Sequence, residues 1–217
     1  MEAILFDLDG TLIDSGDDLA VSINYMLKEL RKQEFEHETI KTWVGNGASI
    51  LVKRALSGGM EIKDINEDEY KKAYKIFMEH YKNNLCVNTK LYPGAKEILK
   101  YFKDKKKAII TNKPYEFVSP ILKELGIEKY FELILGGDSL SEKKPSPLPL
   151  LVACERLGTS KENAIMVGDS KNDILAAKAA GIKSVAITHG YSQGVDIKSL
   201  GADFVINELS QLKAING

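Results

Sequence analysis

Two carboxylates, Asp7 and Asp9, follow directly on an apolar run that starts at the third residue of the chain. The run predicts a buried strand over residues 3–8, and strand side chains two positions apart point to the same face. Two crowded, partly desolvated negative charges are unfavourable unless a cation lies beside them, and carboxylate oxygens suit Mg²⁺. Gly10 then allows the backbone to turn sharply away from the strand. The spacing therefore predicts an acid pair beside a Mg²⁺ site at the carboxyl end of a strand.

Two later loops carry residues that could bind an anion. Thr111 and Asn112 end an apolar run, and the Thr111 hydroxyl together with free N–H groups at the start of a helix would bind a phosphate. Lys144 lies in another loop, where its compact ammonium could neutralise the same phosphate. The alternative interpretation of Thr111 and Asn112 is a helix cap, and that of Lys144 is a solvated surface lysine.

A third loop, which ends a later apolar run and opens a helix, carries two more acids. Asp169 follows its run as Asp7 does, which makes it a candidate metal ligand. Ser170 and Asp173 have the spacing of a capping box, in which side chains satisfy backbone groups at the helix start. Asp173 is therefore open to two interpretations, a helix cap or a support for the site.

The elements that must position these residues follow from the pattern of apolar side chains. Continuous apolar runs are typical of strands buried on both faces of a parallel sheet. Helical segments at 114–125, 147–157 and 170–180 separate the later runs, and a glycine closes each segment. The alternation predicts a Rossmann-like, doubly wound α/β core. Its predicted strands cover residues 3–8, 107–111, 132–136, 164–168, 184–188 and 203–206.

Residues 15–85 interrupt this alternation and show helical periodicity, with longer helices around 19–30 and 70–81 and shorter ones near 37–43 and 47–57. We therefore expect an inserted all-α cap over 15–85 and an α/β core made of 1–14 and 86–217. Because ligands of such a sheet bind at the carboxyl ends of its strands, the cap would act as a lid. Lys53 and Arg54 lie on a predicted cap helix. Their side chains could form an exposed helix face, or one of them could contact the substrate, and the sequence leaves both interpretations open.

Composition limits the class of protein. The 217 residues are 44% hydrophobic and 28% charged, as in ordinary globular proteins, and the net charge of −1 predicts no nucleic-acid or membrane partner. The first strand begins too early for a signal peptide. Cys86 and Cys154 lack metal-site spacing, which favours core residues in a reducing compartment. We expect a cytoplasmic protein that is a monomer or a homodimer.

The four loops, in this order, resemble the haloacid dehalogenase superfamily of phosphohydrolases. The early helical insert resembles the first type of cap found in that superfamily, and three runs are most similar to its phosphoglycolate phosphatases. The superfamily match rests on Asp7-Leu8-Asp9-Gly10-Thr11, Thr111, Lys144-Pro145 and Gly168-Asp169-Ser170 through Asp173. The three runs begin at Trp43 in the cap, at Lys143 and at Gly168.

The resemblance implies a role for each site residue. Asp7 would attack phosphorus and form an aspartyl-phosphate, and Asp9 would act as general acid and base while its backbone carbonyl binds Mg²⁺. The implied metal ligands are Asp7, Asp9 and Asp169. The implied phosphate-binding residues are Thr111, Asn112 and Lys144, with Asp173 in support. Asp9 would have to be protonated when a small phosphorylated metabolite binds.

Other functions stay open on the same residues. Relatives with this scaffold act on pyrophosphate or on other small phosphate esters, including sugar phosphates, and a mutase related to β-phosphoglucomutase would return its phosphate to the substrate. A module that binds a phosphate ligand without catalysis is a further alternative. The cap selects the substrate in such proteins, so the acid pair alone does not identify it.

Overall fold

The core of the computed structural model, which describes residues 1–215, is one parallel sheet. Six strands lie in the order β5-β4-β1-β6-β7-β8, and β2 pairs with β3 in a separate antiparallel ribbon. The predicted α/β class is confirmed, because the core strands reverse their order at β1 as in a doubly wound sheet. The strands are β1 (Ala3–Phe6), β2 (Ile13–Asp14), β3 (Lys90–Leu91), β4 (Lys106–Ile110), β5 (Leu133–Leu135), β6 (Ala164–Gly168), β7 (Lys183–Ile187) and β8 (Phe204–Ile206).

Helices cover both faces of this sheet and form the insert between β2 and β3. Short 3-10 turns lie at 128–130, 161–163, 197–200 and 209–214. The α-helices within the described residues are α1 (Gly16–Glu29), α2 (His37–Lys41), α3 (Ala48–Ser57), α4 (Glu67–Lys82), α5 (Ala95–Tyr101), α6 (Tyr115–Glu124), α7 (Leu148–Leu157) and α8 (Lys171–Ala180). None of them is both long enough and apolar enough to cross a membrane.

The side chains of β1 show why the sheet needs helices on both sides. Ile4 and Phe6 point into the cluster formed with α5, α6 and the cap, whereas Ala3 and Leu5 point into the cluster formed with α7 and α8. All four are fully buried. Because both faces are apolar, the strand lies at the centre of the sheet, and the polar residues that follow it emerge at the sheet's carboxyl edge.

The cap is the helical insert α1–α4, and the chain leaves and re-enters the core through paired strands. Ile13 of β2 lies opposite Leu91 of β3. Asp18, in the first turn of α1, accepts hydrogen bonds from the backbone N–H and side chain of Asn88 and from the N–H and hydroxyl of Thr89, at 2.7–3.0 Å. This buried carboxylate therefore ties the start of the cap to its end. We retain the division at residues 14/15 and 85/86 as a proposal; the last two residues of the predicted core lie outside the described part of the chain.

The structure departs from the sequence-based expectation in the first loop. Strand β1 ends at Phe6, earlier than predicted, because the N–H groups of Thr11, Leu12 and Ile13 all donate to the carbonyl of Leu8. Asp7 and Asp9 therefore do not share one strand face. The sequence analysis also did not identify helix α5 or the β2–β3 ribbon, whose strands are two residues long.

We predict that Asp18→Ala lowers the free energy of unfolding by about 3 kcal/mol, because several buried donors lose a charged acceptor. The exposed Asp17→Ala, which removes a surface ion pair with Lys41, is the matched control and should cost no more than about 1 kcal/mol. Urea unfolding of both variants measures the difference. Equal losses would contradict a specific role for Asp18.

Candidate active site

The loops that follow β1, β4 and β6 meet at the carboxyl edge of the sheet, where β1 lies between β4 and β6. The loop before α7 closes the same edge and brings in Lys144. This is the switch point of a doubly wound sheet, where neighbouring loops diverge and leave a crevice for a ligand. The candidate residues predicted on four separate segments are thus brought to one place.

A buried lysine bridges two of the acids. The Lys144 ammonium lies 3.0 Å from Oδ1 of Asp7 and donates to Oδ1 of Asp173 at 2.5 Å. Its side chain is 1% exposed, which rules out the solvated surface lysine considered from the sequence. Asp173 also accepts from the N–H and hydroxyl of Ser170, at 3.0 and 2.6 Å. Asp173 therefore caps α8 and orients Lys144 at the same time.

Asp169 is held from two sides. Oδ1 accepts from the Thr11 hydroxyl at 2.7 Å and Oδ2 accepts from the Tyr191 N–H at 2.6 Å. Gly10 has a φ of +85°, and a Cβ there would overlap the Asp169 carboxylate. The tight turn after β1 therefore permits the close approach of the two loops.

The donor set fits a hard divalent cation. Carboxylate oxygens of Asp7, Asp169 and Asp173 lie within 4.8 Å of one another, and all three residues are buried. Within residues 1–215, Lys144 is the basic side chain that pairs with this cluster, so the acids outnumber the cation. Of these three, Asp7 and Asp169 are the ligands expected from the sequence, whereas Asp173 is tied to Lys144 and Ser170. The Asp9 carboxylate lies outside this cluster, so its predicted metal contact would have to come from its backbone.

Burial raises the pKa of Asp7 to about 7, and Lys144 opposes this rise while Asp173 adds to it. Burial also raises the pKa of Asp169 well above its ordinary value, with further contributions from Asp7 and Asp173. Both shifts show that the carboxylate forms lack sufficient positive charge around them. A bound cation would supply that charge.

Asp9 has a different set of partners. Lys113 donates to both oxygens of Asp9, at 3.0 and 3.1 Å, and the Ser15 hydroxyl donates to Oδ1 at 2.6 Å. Burial alone would lower the pKa of Lys113, but Asp9 and Tyr81 more than offset this and raise it. The Lys113 ammonium also lies 4.7 Å from the centre of the Tyr81 ring. Each acid of the original pair therefore has its own lysine.

Thr111 and Asn112 have unequal freedom to bind a ligand. Thr111 is buried, and its hydroxyl accepts from the Lys113 N–H at 3.2 Å. The Asn112 side-chain amide donates to the carbonyls of Gly45 and Lys144, at 3.1 and 3.0 Å, and its oxygen has no hydrogen-bond partner among residues 1–215. The first N–H of α6, from Tyr115, donates to an aspartate in the next loop, Asp138. Thr111 and Lys144 are therefore better placed than the helix start to hold a phosphate.

The cap covers the site through its loop at residues 44–47. The Gly45 carbonyl accepts from Asn112 and Asn172, each at 3.1 Å, and the Asn46 carbonyl accepts from Lys143 at 2.9 Å. A cavity with a volume of about 30 Å³ lies beneath this loop. Its walls combine the site residues with Leu19, Val44, Leu51, Phe77 and Phe117 among others.

Several residues with evident roles at the site were not predicted from the sequence. Lys113, Ser15 and Tyr81 contact Asp9 or its lysine, and Thr11 holds Asp169. Lys113 directly follows Thr111 and Asn112, the predicted anion-binding pair, and this adjacency is the one sequence signal that could have indicated its place in the site. Tyr81 was read only as part of an apolar helix face, since nothing in its spacing indicates a ligand.

A family model described as haloacid dehalogenase-like hydrolase matches residues 4–187. The chain belongs to this family. It is 49% identical to phosphoglycolate phosphatase of Colwellia psychrerythraea, covering 97% of this chain and 95% of that one. It is 43% identical to phosphoglycolate phosphatase 1 of Pseudomonas aeruginosa, covering 96% of this chain and 77% of that one.

Solved structures agree with the sequence relatives. A crystal structure of a predicted phosphoglycolate phosphatase from Haemophilus somnus 129pt has a TM-score of 0.94 and 39% identity, and covers 99% of this chain and 97% of its own. The chain is therefore a hydrolase with the fold of this family, and it resembles the phosphatases within it.

We predict that Asp7→Asn stabilises the metal-free protein increasingly as the pH rises from about 4 to about 7. The raised pKa of Asp7 means that the folded chain binds a proton between its ordinary value of 3.8 and about 7 that the unfolded chain has released, so stability falls through this window. Asparagine does not titrate, so the variant does not lose stability in this way. The difference in stability is measured from the thermal unfolding midpoints of the native protein and Asp7→Asn, in excess chelator at several pH values. A constant difference across the range would show that Asp7 is not the group responsible.

Proposed function

We propose that this protein is a Mg²⁺-dependent phosphomonoester hydrolase of a small phosphorylated metabolite, and that phosphoglycolate is its substrate. The observation that carries the proposal is the buried Asp7, which faces Lys144 and Asp169 and opens onto the cavity beneath the cap. The similarity to proteins named phosphoglycolate phosphatase over nearly the whole chain supports the substrate.

Asp7 is the proposed nucleophile. The contacts of its carboxylate within the described residues fall on Oδ1, which accepts from the Leu8 N–H at 2.8 Å and pairs with Lys144. These contacts orient the side chain and leave Oδ2 for attack on phosphorus, with displacement of the leaving alcohol. A carboxylate attack of this kind produces an aspartyl-phosphate on Asp7, which water then hydrolyses.

The transferring phosphate is held by side chains already fixed in place. Lys144 is oriented by Asp173, so that its ammonium can neutralise the phosphate at little further entropic cost. Thr111 offers its hydroxyl beside it. Asp7 and Asp169, with the Asp9 carbonyl, would hold Mg²⁺, which supplies positive charge against the phosphate oxygens.

Asp9 is the proposed general acid and base. Its side chain is 12% exposed and lines the cavity beside Asp7, so it can reach the leaving oxygen. Both oxygens of Asp9 accept from Lys113, so the acid role requires this contact to change when substrate binds. Ser15, the first residue of the proposed cap, donates its hydroxyl to Asp9 and keeps the carboxyl in place.

The cap loop lies over the cavity, and we propose that it moves aside when substrate enters. Opening would break the contacts of Gly45 and Asn46 with the core, and closing would restore them and exclude water. We propose a cytoplasmic enzyme, active as a monomer or homodimer, whose partners are small phosphorylated metabolites.

We predict that Asp7→Asn abolishes phosphate release from phosphoglycolate and from p-nitrophenyl phosphate while the fold persists. The amide is a poor nucleophile and cannot form the phosphoenzyme. Release of phosphate is measured in Mg²⁺, with acid quenching to detect labelled enzyme, and the exposed Asp17→Asn serves as the matched control. Substantial turnover by Asp7→Asn would reject the nucleophile and the mechanism with it.

We also predict that chelation abolishes activity and that Mg²⁺ restores it. Asp169→Asn should raise the Mg²⁺ concentration for half-maximal activity by more than about tenfold, since it removes a charged ligand. Titration of chelated protein with Mg²⁺ measures this. Full activity in chelator would rule out the metal requirement.

The same assay separates the remaining alternatives. A mutase would convert a sugar phosphate into its isomer, whereas a hydrolase releases inorganic phosphate without an isomer. A binding module would retain a phosphate ligand and release nothing in either case. Comparison of rates for phosphoglycolate, pyrophosphate and sugar phosphates then ranks the substrates.

A further inference from the structure

We propose that Lys113 selects substrates that carry a carboxylate on the carbon next to the ester oxygen, so that the enzyme acts on phosphate esters of 2-hydroxy acids as a class. The inference rests on the proposed function of this site and assigns its substrate preference to a residue of the core. It is carried by the position of Lys113 in the cavity.

Lys113 is the basic side chain among the residues that line the cavity in the described part of the chain. Its side chain is 3% exposed, and its ammonium contacts both oxygens of Asp9. A buried ammonium is unfavourable without an anionic partner, and an ammonium has three donors. Asp9 and the adjacent Tyr81 side chain surround this ammonium within the protein, and a ligand anion would approach it from the cavity that Lys113 lines.

Tyr81 supplies a second donor at the same place. Tyr81 is 1% exposed and lines the cavity. Its hydroxyl has no hydrogen-bond partner of acceptable geometry within the described residues. Buried hydroxyls normally have a partner, so an unpaired one facing a cavity indicates a ligand group. A carboxylate can accept from the Tyr81 hydroxyl and the Lys113 ammonium together.

The other cations near the site are committed elsewhere. Lys144 pairs with Asp7 and Asp173. Arg54 donates through Nη1 to the Trp43 carbonyl and to the Asn46 side chain, and it does not line the cavity. Lys53 lies over the ring of a cap tyrosine and does not line the cavity.

The distance from Lys113 to Asp9 limits how far the carboxylate can be from the ester. Asp9 would contact the leaving oxygen, and the Lys113 ammonium lies 3.0 Å from the Asp9 carboxylate. An anionic group that reaches this ammonium must therefore be close to the leaving oxygen, as it is when one carbon separates them. The apolar residues Leu51, Phe77 and Phe117 line the remaining space, where the carbon between the two groups would lie.

The test compares two esters of matched length, phosphoglycolate and the neutral 2-hydroxyethyl phosphate. For the native enzyme we expect kcat/KM to favour phosphoglycolate strongly. Lys113→Met should lower kcat/KM for phosphoglycolate by about 100-fold more than for the neutral ester, because loss of one partner of a buried charge pair has effects of this size. Tyr81→Phe, a milder change that removes only the hydroxyl, should reduce the same preference by about tenfold.

Lys53→Met is the matched control and should leave the preference unchanged. Equal losses for both esters in Lys113→Met and Tyr81→Phe would overturn the inference, since Lys113 would then act only by positioning Asp9. Native enzyme that hydrolyses both esters at similar rates would also overturn it while leaving the phosphatase activity intact. Failure of native enzyme to release phosphate from either ester would instead reject the proposed function itself.

Discussion

The burial of three carboxylates beside one lysine is the constraint on which the rest of the site depends. Asp7, Asp169 and Asp173 lie close together at the end of the sheet, and Lys144 contacts two of them. Negative charge in excess of the lysine is costly in a buried place, and the raised pKa of Asp7, at about 7, expresses that cost. The arrangement is stable with a proton or a cation present, and a cation leaves the carboxylate ionised for chemistry.

The fold provides this crowding through the order of its strands. Parallel strands β1 and β6 are neighbours, so the residues that follow them, Asp7 and Asp169, are adjacent although they are far apart in sequence. Both strands are buried on both faces, which fixes their position in the sheet. The glycine turn after β1 lets the two loops approach, and the Thr11 hydroxyl then holds Asp169. Packing of the core thus positions the acids.

The sheet and most of the helices could be predicted from the sequence because their signals are local. Continuous apolar runs located the six core strands, and the Ser170–Asp173 spacing predicted a cap that the structure shows. The β2–β3 ribbon was missed because strands of two residues carry no periodicity. Lys113 was missed for another reason. A lysine in a loop is usually solvated, and only the meeting of that loop with the first one buries it beside Asp9.

The pairing of each acid with its own lysine explains how two aspartates so close in sequence can have different roles. Lys144 is fixed by Asp173, which does not face the substrate cavity, so its contact with Asp7 can persist through the reaction. Lys113 has no second carboxylate among the described residues, and its contact with Asp9 lies in the cavity itself. An incoming anionic group therefore competes with Asp9 for Lys113 but leaves the Asp7 pair undisturbed. In the proposed mechanism, substrate recognition would therefore act on the general acid and base, Asp9, while the nucleophile, Asp7, stays oriented by the core.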